Sequence, residues 1–168
     1  MEAVRLFLAL WPDPATRAAI AAWQRDWAWP AEAAPVPADR LHLTLHFIGN
    51  VPRDKLPRLA SGLKVAFAPF DLELRRGEVW PNSVAVLQPE RTPTAMKRLH
   101  GDLAGALRNL ELPVEDRPFR PHVTLARHAR RAVPPPQHAG VDWRASQGYV
   151  LAQSLPAGGG YEILARFG

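Results

Sequence analysis

The sequence predicts an α+β protein built from two similar halves, and three observations carry that prediction. Its elements read strand, helix, strand, helix, strand pair, helix, strand, strand pair, and the hairpins argue against a purely parallel, doubly wound sheet. The blocks His42-Leu43-Thr44-Leu45 and His122-Val123-Thr124-Leu125 lie 80 residues apart in a chain of 168, one in each half. No Pro/Gly/Ser stretch is long enough to act as a linker between domains, so residues 1–168 are expected to form one domain of two lobes.

The elements follow in order. Val4-Arg5-Leu6-Phe7-Leu8-Ala9-Leu10 reads as a buried strand; Arg5, Glu2 and the lack of a small-residue cleavage site count against a signal peptide. Asp13 offers an N-cap and Pro14 a first helical position, opening a helix with Ile20, Trp23 and Trp27 at helical spacing. Trp29-Pro30 ends it, and residues 30–38, with Pro30, Pro35 and Pro37, form a loop. Residues 41–47 alternate: Leu41, Leu43, Leu45 and Phe47 share one face, His42, Thr44 and His46 the other. Gly49-Asn50 is expected to close that strand.

A helix over 54–67 carries Leu56, Leu59, Leu63 and Phe67 as its apolar stripe. Strands at 71–79 and 83–88 flank a turn at Pro81-Asn82. Thr92-Pro93 caps a third helix, with Met96, Leu99, Leu103, Leu107 and Leu110 on its buried side. The second His block occupies about 120–127, and a basic, Pro-rich loop follows from Arg130-Arg131 to Pro134-Pro135-Pro136. Strands at 147–155 and 160–167 flank Pro156-Ala157-Gly158-Gly159-Gly160.

Composition narrows the function. The 47% hydrophobic and 22% charged content is that of a globular protein, and no apolar run reaches the roughly 18 residues of a membrane span. The chain has no Cys, which removes disulfides, thiolate metal sites and cysteine nucleophiles. A cytoplasmic monomer is the default expectation. Of the 21 basic residues 18 are Arg, and the net charge is +5. Arg grips phosphate through a rigid fork, so the charge supports a polyanionic partner.

The two blocks suggest the chemistry. With six His and five Thr, chance supplies only about 0.2 such His-x-Thr spacings. Two opposed imidazoles can work on phosphorus without metal, one taking the proton from the attacking oxygen and one protonating the leaving oxygen. Two Thr hydroxyls can hold the non-bridging oxygens as charge builds on them. A strained 2′,3′-cyclic phosphate suits such a site. His42 and His46 would stand about 13 Å apart on a strand, too far to share an ion, so no metal and no cofactor is expected. His100, His128 and His138 have no readable partners and are expected to be solvated. Of the six Trp, any could stack a base, with Trp23 and Trp27 favoured as core.

Both blocks resemble the His-x-Thr-hydrophobic signature of the two-histidine (2H) phosphoesterases, most closely the bacterial 2′-5′ RNA ligase (LigT-like) group. The likeness extends to Arg5-Leu6-Phe7-Leu8-Ala9-Leu10, to Leu41 through Gly49, to Arg117-Pro118-Phe119-Arg120-Pro121-His122-Val123-Thr124-Leu125-Ala126-Arg127, and to Ser154-Leu155 and Tyr161-Glu162-Ile163-Leu164. The resemblance implies a bilobal fold in which two antiparallel sheets line a central cleft with helices outside. It implies an RNA 2′,3′-cyclic phosphodiesterase with reversible 2′-5′ ligation, acting on RNA ends such as those of tRNA fragments. His42 and His122 would be the acid–base pair, and Thr44, Thr124 and Arg127 would hold phosphate. Phe47 would stack on a base, although strict alternation equally makes it a core aromatic. Alternation likewise turns Arg127 away from the histidines, and the favoured resolution is that the strand ends there. Arg117, Arg120, Arg130 and Arg131 are further candidate RNA contacts. The rival readings are a small-molecule cyclic phosphodiesterase and a non-catalytic RNA- or nucleotide-binding module.

Overall fold

The computed structural model describes residues 2–136 and 138–168. Nine strands occur among them: β1 (Ala3–Leu10), β2 (Ala34–Pro35), β3 (Leu43–Pro52), β4 (Phe70–Val79), β5 (Ala85–Pro89), β6 (Val123–Arg127), β7 (Val141–Ala145), β8 (Tyr149–Ser154) and β9 (Tyr161–Phe167). The helices are α1 (Pro14–Arg25), α2 (Leu56–Gly62) and α3 (Thr94–Asn109). The α+β reading holds, and every strand pairing is antiparallel.

The strand order β7-β4-β5-β6-β3-β1-β8-β9 divides into two four-stranded halves. They meet at one residue pair, Leu43 opposite Val123, so the two sheets run into each other across the His-bearing strands β3 and β6. Each half delivers its His strand in the same way. β1 is followed by α1 and then β3, beside it; β5 is followed by α3 and then β6, beside it. α1 packs against β7 and α3 against β3, so each helix braces the opposite half. The main core lies between sheet and helices and includes Leu8, Leu43, Leu87, Leu103 and Leu125. A smaller apolar group, Phe7, Ala9, Val150 and Ala152, lies on the other side of the sheet with Trp11 and Tyr161 packed against it.

Local chemistry explains the element ends. Asp13 caps α1 by accepting from the Thr16 N–H at 2.8 Å, as its place before Pro14 predicts. Trp27 is buried like Trp23, yet it lies past the C-cap of α1 at Asp26 rather than in the helix. The Tyr149 hydroxyl donates to the Leu63 carbonyl at 2.7 Å and accepts from the Val65 N–H at 2.8 Å, tying β8 to the end of α2.

Several sequence expectations are corrected. β3 does not stop at Gly49-Asn50 but continues to Pro52, because Gly49 and Asn50 pair with Leu6 and Arg5 of β1. α2 ends at Gly62, five residues early, since its apolar residues past Leu63 reach the core from extended chain. The cap of α3 is Pro93, one residue later than Thr92, and no side chain caps that end. β7 was not anticipated; its Val141, Trp143 and Ala145 alternate inward against β4. β2 is a two-residue strand inside the predicted loop.

Candidate active site

Both His blocks contain the same irregularity. Along β3, Phe47 faces Phe7, His46 faces Leu8 and Thr44 faces Ala9, which leaves Leu45 as an extra, unpaired residue. Along β6, Ala126 faces Ala85 and Thr124 faces Val86, which leaves Leu125 extra. A bulge of this kind shifts the side-chain alternation by one. The residue five positions after each His therefore returns to the His face. Phe47 does so and is 54% exposed; Arg127 does so at the end of β6 and is also exposed. The strand does end at Arg127, as expected, and the Leu125 bulge is what returns that side chain to the His face.

His42, Thr44, Phe47, His122, Thr124 and Arg127 line one cavity of about 310 Å³. The histidines are held alike. The His42 Nδ1–H donates to the Arg40 carbonyl at 2.8 Å and the His122 Nδ1–H to the Arg120 carbonyl at 2.7 Å. Nε2 is then the free nitrogen of each ring, and that of His42 accepts from the Thr44 hydroxyl at 3.1 Å. The sequence signal for this pairing is a longer repeat, Arg-x-His-x-Thr-Leu, at Arg40–Leu45 and Arg120–Leu125.

The surroundings set the ring charge. The His42 imidazole stacks on Trp11 at 4.9 Å with 3° between planes, with Phe7 at 5.1 Å and Tyr161 edge-on at 5.0 Å. Burial among these rings pushes its pKa down to about 4; the Arg40 carbonyl opposes this, and His122 and Arg127 reinforce it. His122 packs against Trp80 at 4.4 Å. Its pKa is lowered for the same main reason, burial, with the charges of Arg120 and Arg127 adding to the effect. Burial therefore favours the neutral form of both rings near pH 7.

The other anticipated residues separate. Arg117 and Arg120 line an adjoining cavity of about 540 Å³, which shares Thr44, Phe47 and His122 with the first. Arg117 pairs with Glu115 at 2.9 Å, and the Arg120 guanidinium lies 4.3 Å over the Trp80 ring. Arg130 and Arg131 line neither cavity, and Arg131 pairs with Glu32 at 3.3 Å. Just after Arg127 the backbone takes a left-handed conformation at His128, where φ is +54°.

His46 is displaced by the Leu45 bulge onto the core side, where its Nε2–H donates to the His100 carbonyl at 2.8 Å. His100 is not solvated; it is sandwiched between His46 and Phe119, each at 4.0 Å. His138 likewise stacks on Trp23 at 4.3 Å, whereas His128 is exposed as expected. Sequence reasoning assigned no role to Arg5, Arg40 and Tyr161, which also line the first cavity. Among the described residues no group of three or more His, Cys, Asp or Glu could hold a metal ion, and no helix is long and apolar enough to cross a membrane.

The family model described as LigT like phosphoesterase matches residues 10–89. An RNA 2′,3′-cyclic phosphodiesterase of Thermus thermophilus is 34% identical over 184 residues, covering 98% of this chain and 89% of the relative. The chain belongs to the LigT-like phosphoesterases. A second LigT-like relative, the RNA 2′,3′-cyclic phosphodiesterase of Escherichia coli, is 34% identical over 84% of this chain and 81% of its own length. Crystal structures of E. coli LigT complexed with NADP+ and with 3′-AMP superpose with TM-scores of 0.83 and 0.82. Each is 31% identical and covers 98% of this chain and 97% of that one.

Proposed function

We infer that this protein is an RNA 2′,3′-cyclic phosphodiesterase. Its relatives of that name span most of the chain. The observation that carries the reading is the placement of two identically tethered imidazoles and two threonine hydroxyls around one cavity.

The ring opens by in-line attack. Water adds to phosphorus as the bond to the 3′ oxygen breaks, leaving a 2′-phosphomonoester and a 3′-hydroxyl. His122 Nε2 takes the proton from the water, and His42 Nε2–H gives one to the departing oxygen. Burial alone favours the neutral His42 ring, so its role as acid needs the negative charge of the phosphodiester beside it to hold the proton. Thr44, Thr124 and Arg127 hold the non-bridging oxygens, and Phe47 stacks on the base. Arg117 and Arg120, which line the adjoining cavity, offer further contacts to RNA.

With a 5′-hydroxyl in place of water the same forward steps, O5′ bonding to phosphorus as the bond to the 3′ oxygen breaks, join two ends through a 2′-5′ bond; their reverse, attack of the 3′-hydroxyl with release of the 5′-hydroxyl, restores the cyclic phosphate. The proposal extends to residues 1–168 acting as a single two-lobed unit, a monomer working in the cytoplasm on RNA ends such as tRNA fragments.

Hydrolysis of an RNA oligomer ending in 2′,3′-cyclic phosphate tests the reading. In EDTA the wild type should turn over, and His42→Ala and His122→Ala should each lose roughly 10²–10⁴-fold in rate. Turnover that disappears in EDTA, or survives both substitutions, overturns it.

A further inference from the structure

The cavity carries more positive charge than the reacting group can neutralise. Arg5, Arg40 and Arg127 all line it, and among the described residues none of them joins an ion pair. A 2′,3′-cyclic phosphate is a diester with one negative charge. Like charges gathered in one cleft repel, and they focus a field that draws in anions.

The three guanidiniums stand on different walls. Arg127 belongs to β6, the strand that follows His122. Arg5 lies on β1, two residues before Phe7, and faces Ser154 of β8, which also lines the cavity. Arg40 precedes His42 by two residues, and its side chain lies against Gly160. A Cβ on Gly160 would stand 2.9 Å from the Arg40 Nε, and Gly160 has φ of +87°. Bare backbone therefore gives Arg40 its resting place.

We propose that Arg5 and Arg40, beside the Gly158–Gly160 turn, form a second phosphate subsite that takes the phosphate on the 5′ oxygen of the nucleoside carrying the cyclic phosphate. A cyclic phosphate closes the 3′ end of its strand, so the neighbouring phosphate can only lie on the 5′ side. The inference rests on the cyclic phosphodiesterase reading and narrows its substrate class to ends that bear a 5′-linked phosphate.

Three substrates test it: a nucleoside 2′,3′-cyclic phosphate with a free 5′-hydroxyl, the same compound with a 5′-phosphate, and a dinucleotide with the cyclic phosphate at its 3′ end. The wild type should favour the dinucleotide over the 5′-hydroxyl compound at least tenfold in kcat/KM. Arg5→Ala and Arg40→Ala should each cut that ratio about tenfold, the loss of a charge-assisted hydrogen bond. The ratio cancels any loss in the chemistry that both substrates share. The dinucleotide should also show the steeper salt dependence, by about 0.7 in log–log slope for one phosphate, and the double variant should erase the difference. A 5′-phosphate that matches the dinucleotide assigns the subsite to any 5′-phosphate, and a weaker one assigns it to the chain. A wild-type ratio near one, or a ratio untouched by both substitutions, overturns the subsite. Failure to turn over any of the three substrates overturns the cyclic phosphodiesterase reading instead.

Discussion

Leu45 and Leu125 occupy the same position in the two halves: each is the unpaired residue of a bulge, one place beyond the site threonine. The β6 bulge has a visible clamp. The buried Gln24 amide donates to the Leu125 carbonyl at 2.8 Å and to the Val36 carbonyl at 2.9 Å, and the Val36 N–H donates to the same Leu125 carbonyl at 2.8 Å. Gln24→Leu leaves the Val36 carbonyl without this donor, at a cost of about 1–3 kcal/mol, and frees the turn that aims Arg127. Thermal melts should show a lower Tm, and kcat/KM should fall about tenfold. Adding Arg127→Ala to Gln24→Leu should then cost less than Arg127→Ala does alone, because the two act through one feature.

Phe47→Ala should weaken substrate binding with little effect on folding. The ring is more than half exposed and contributes little to the core. Stacking on a base is worth roughly 1–3 kcal/mol, so KM should rise roughly 5- to 100-fold while Tm stays nearly constant. An unchanged KM would return Phe47 to a packing role against Phe7, whose ring centroid lies 6.4 Å away.

Trp11→Ala should raise the His42 pKa. The indole covers the imidazole face to face, and burial is the main cause of the low value of about 4. Water admitted at that face stabilises the imidazolium, so the pKa should climb towards the ordinary 6.5. Titration of the His42 ring protons by NMR measures the change, and the limb of the pH–rate profile that reports His42 should move upward with it.

Acid should destabilise the fold through its buried histidines. His42, His46, His100 and His122 all have folded pKa values below the ordinary value, in each case chiefly through burial. Unfolded, they take up protons near pH 6.5, so the unfolded state binds more protons below that point. Stability is fully present above about pH 6.5 and drains away as the pH falls towards 4. Tm should drop by roughly 5–10 °C between pH 7 and 4.5, and His100→Phe should flatten that slope.

The sequence revealed the strands and the two His blocks because both are local patterns. Periodicity placed β1, β4, β5, β8 and β9 within a few residues, and Asp13-Pro14 marked the start of α1. The errors share one cause. A bulge is specified by the partner strand, so alternation alone assigned Phe47 and His46 to each other's faces. β7 escaped notice because its five residues depend on pairing with β4. Arg5 and Arg40 were visible as letters, but only the approach of β8 and the Gly158–Gly160 turn makes them cavity walls.

Between β3 and β6 a single rung, Leu43 to Val123, joins the halves, and His42 and His122 stand on opposite sides of that seam. The halves are also held by the β2–β6 pairing and by the packing of α1 against β7 and of α3 against β3. Repacking beneath the sheet, at Ile20 or Leu103, should therefore alter the spacing of the two imidazoles from a distance, with every cleft residue left intact.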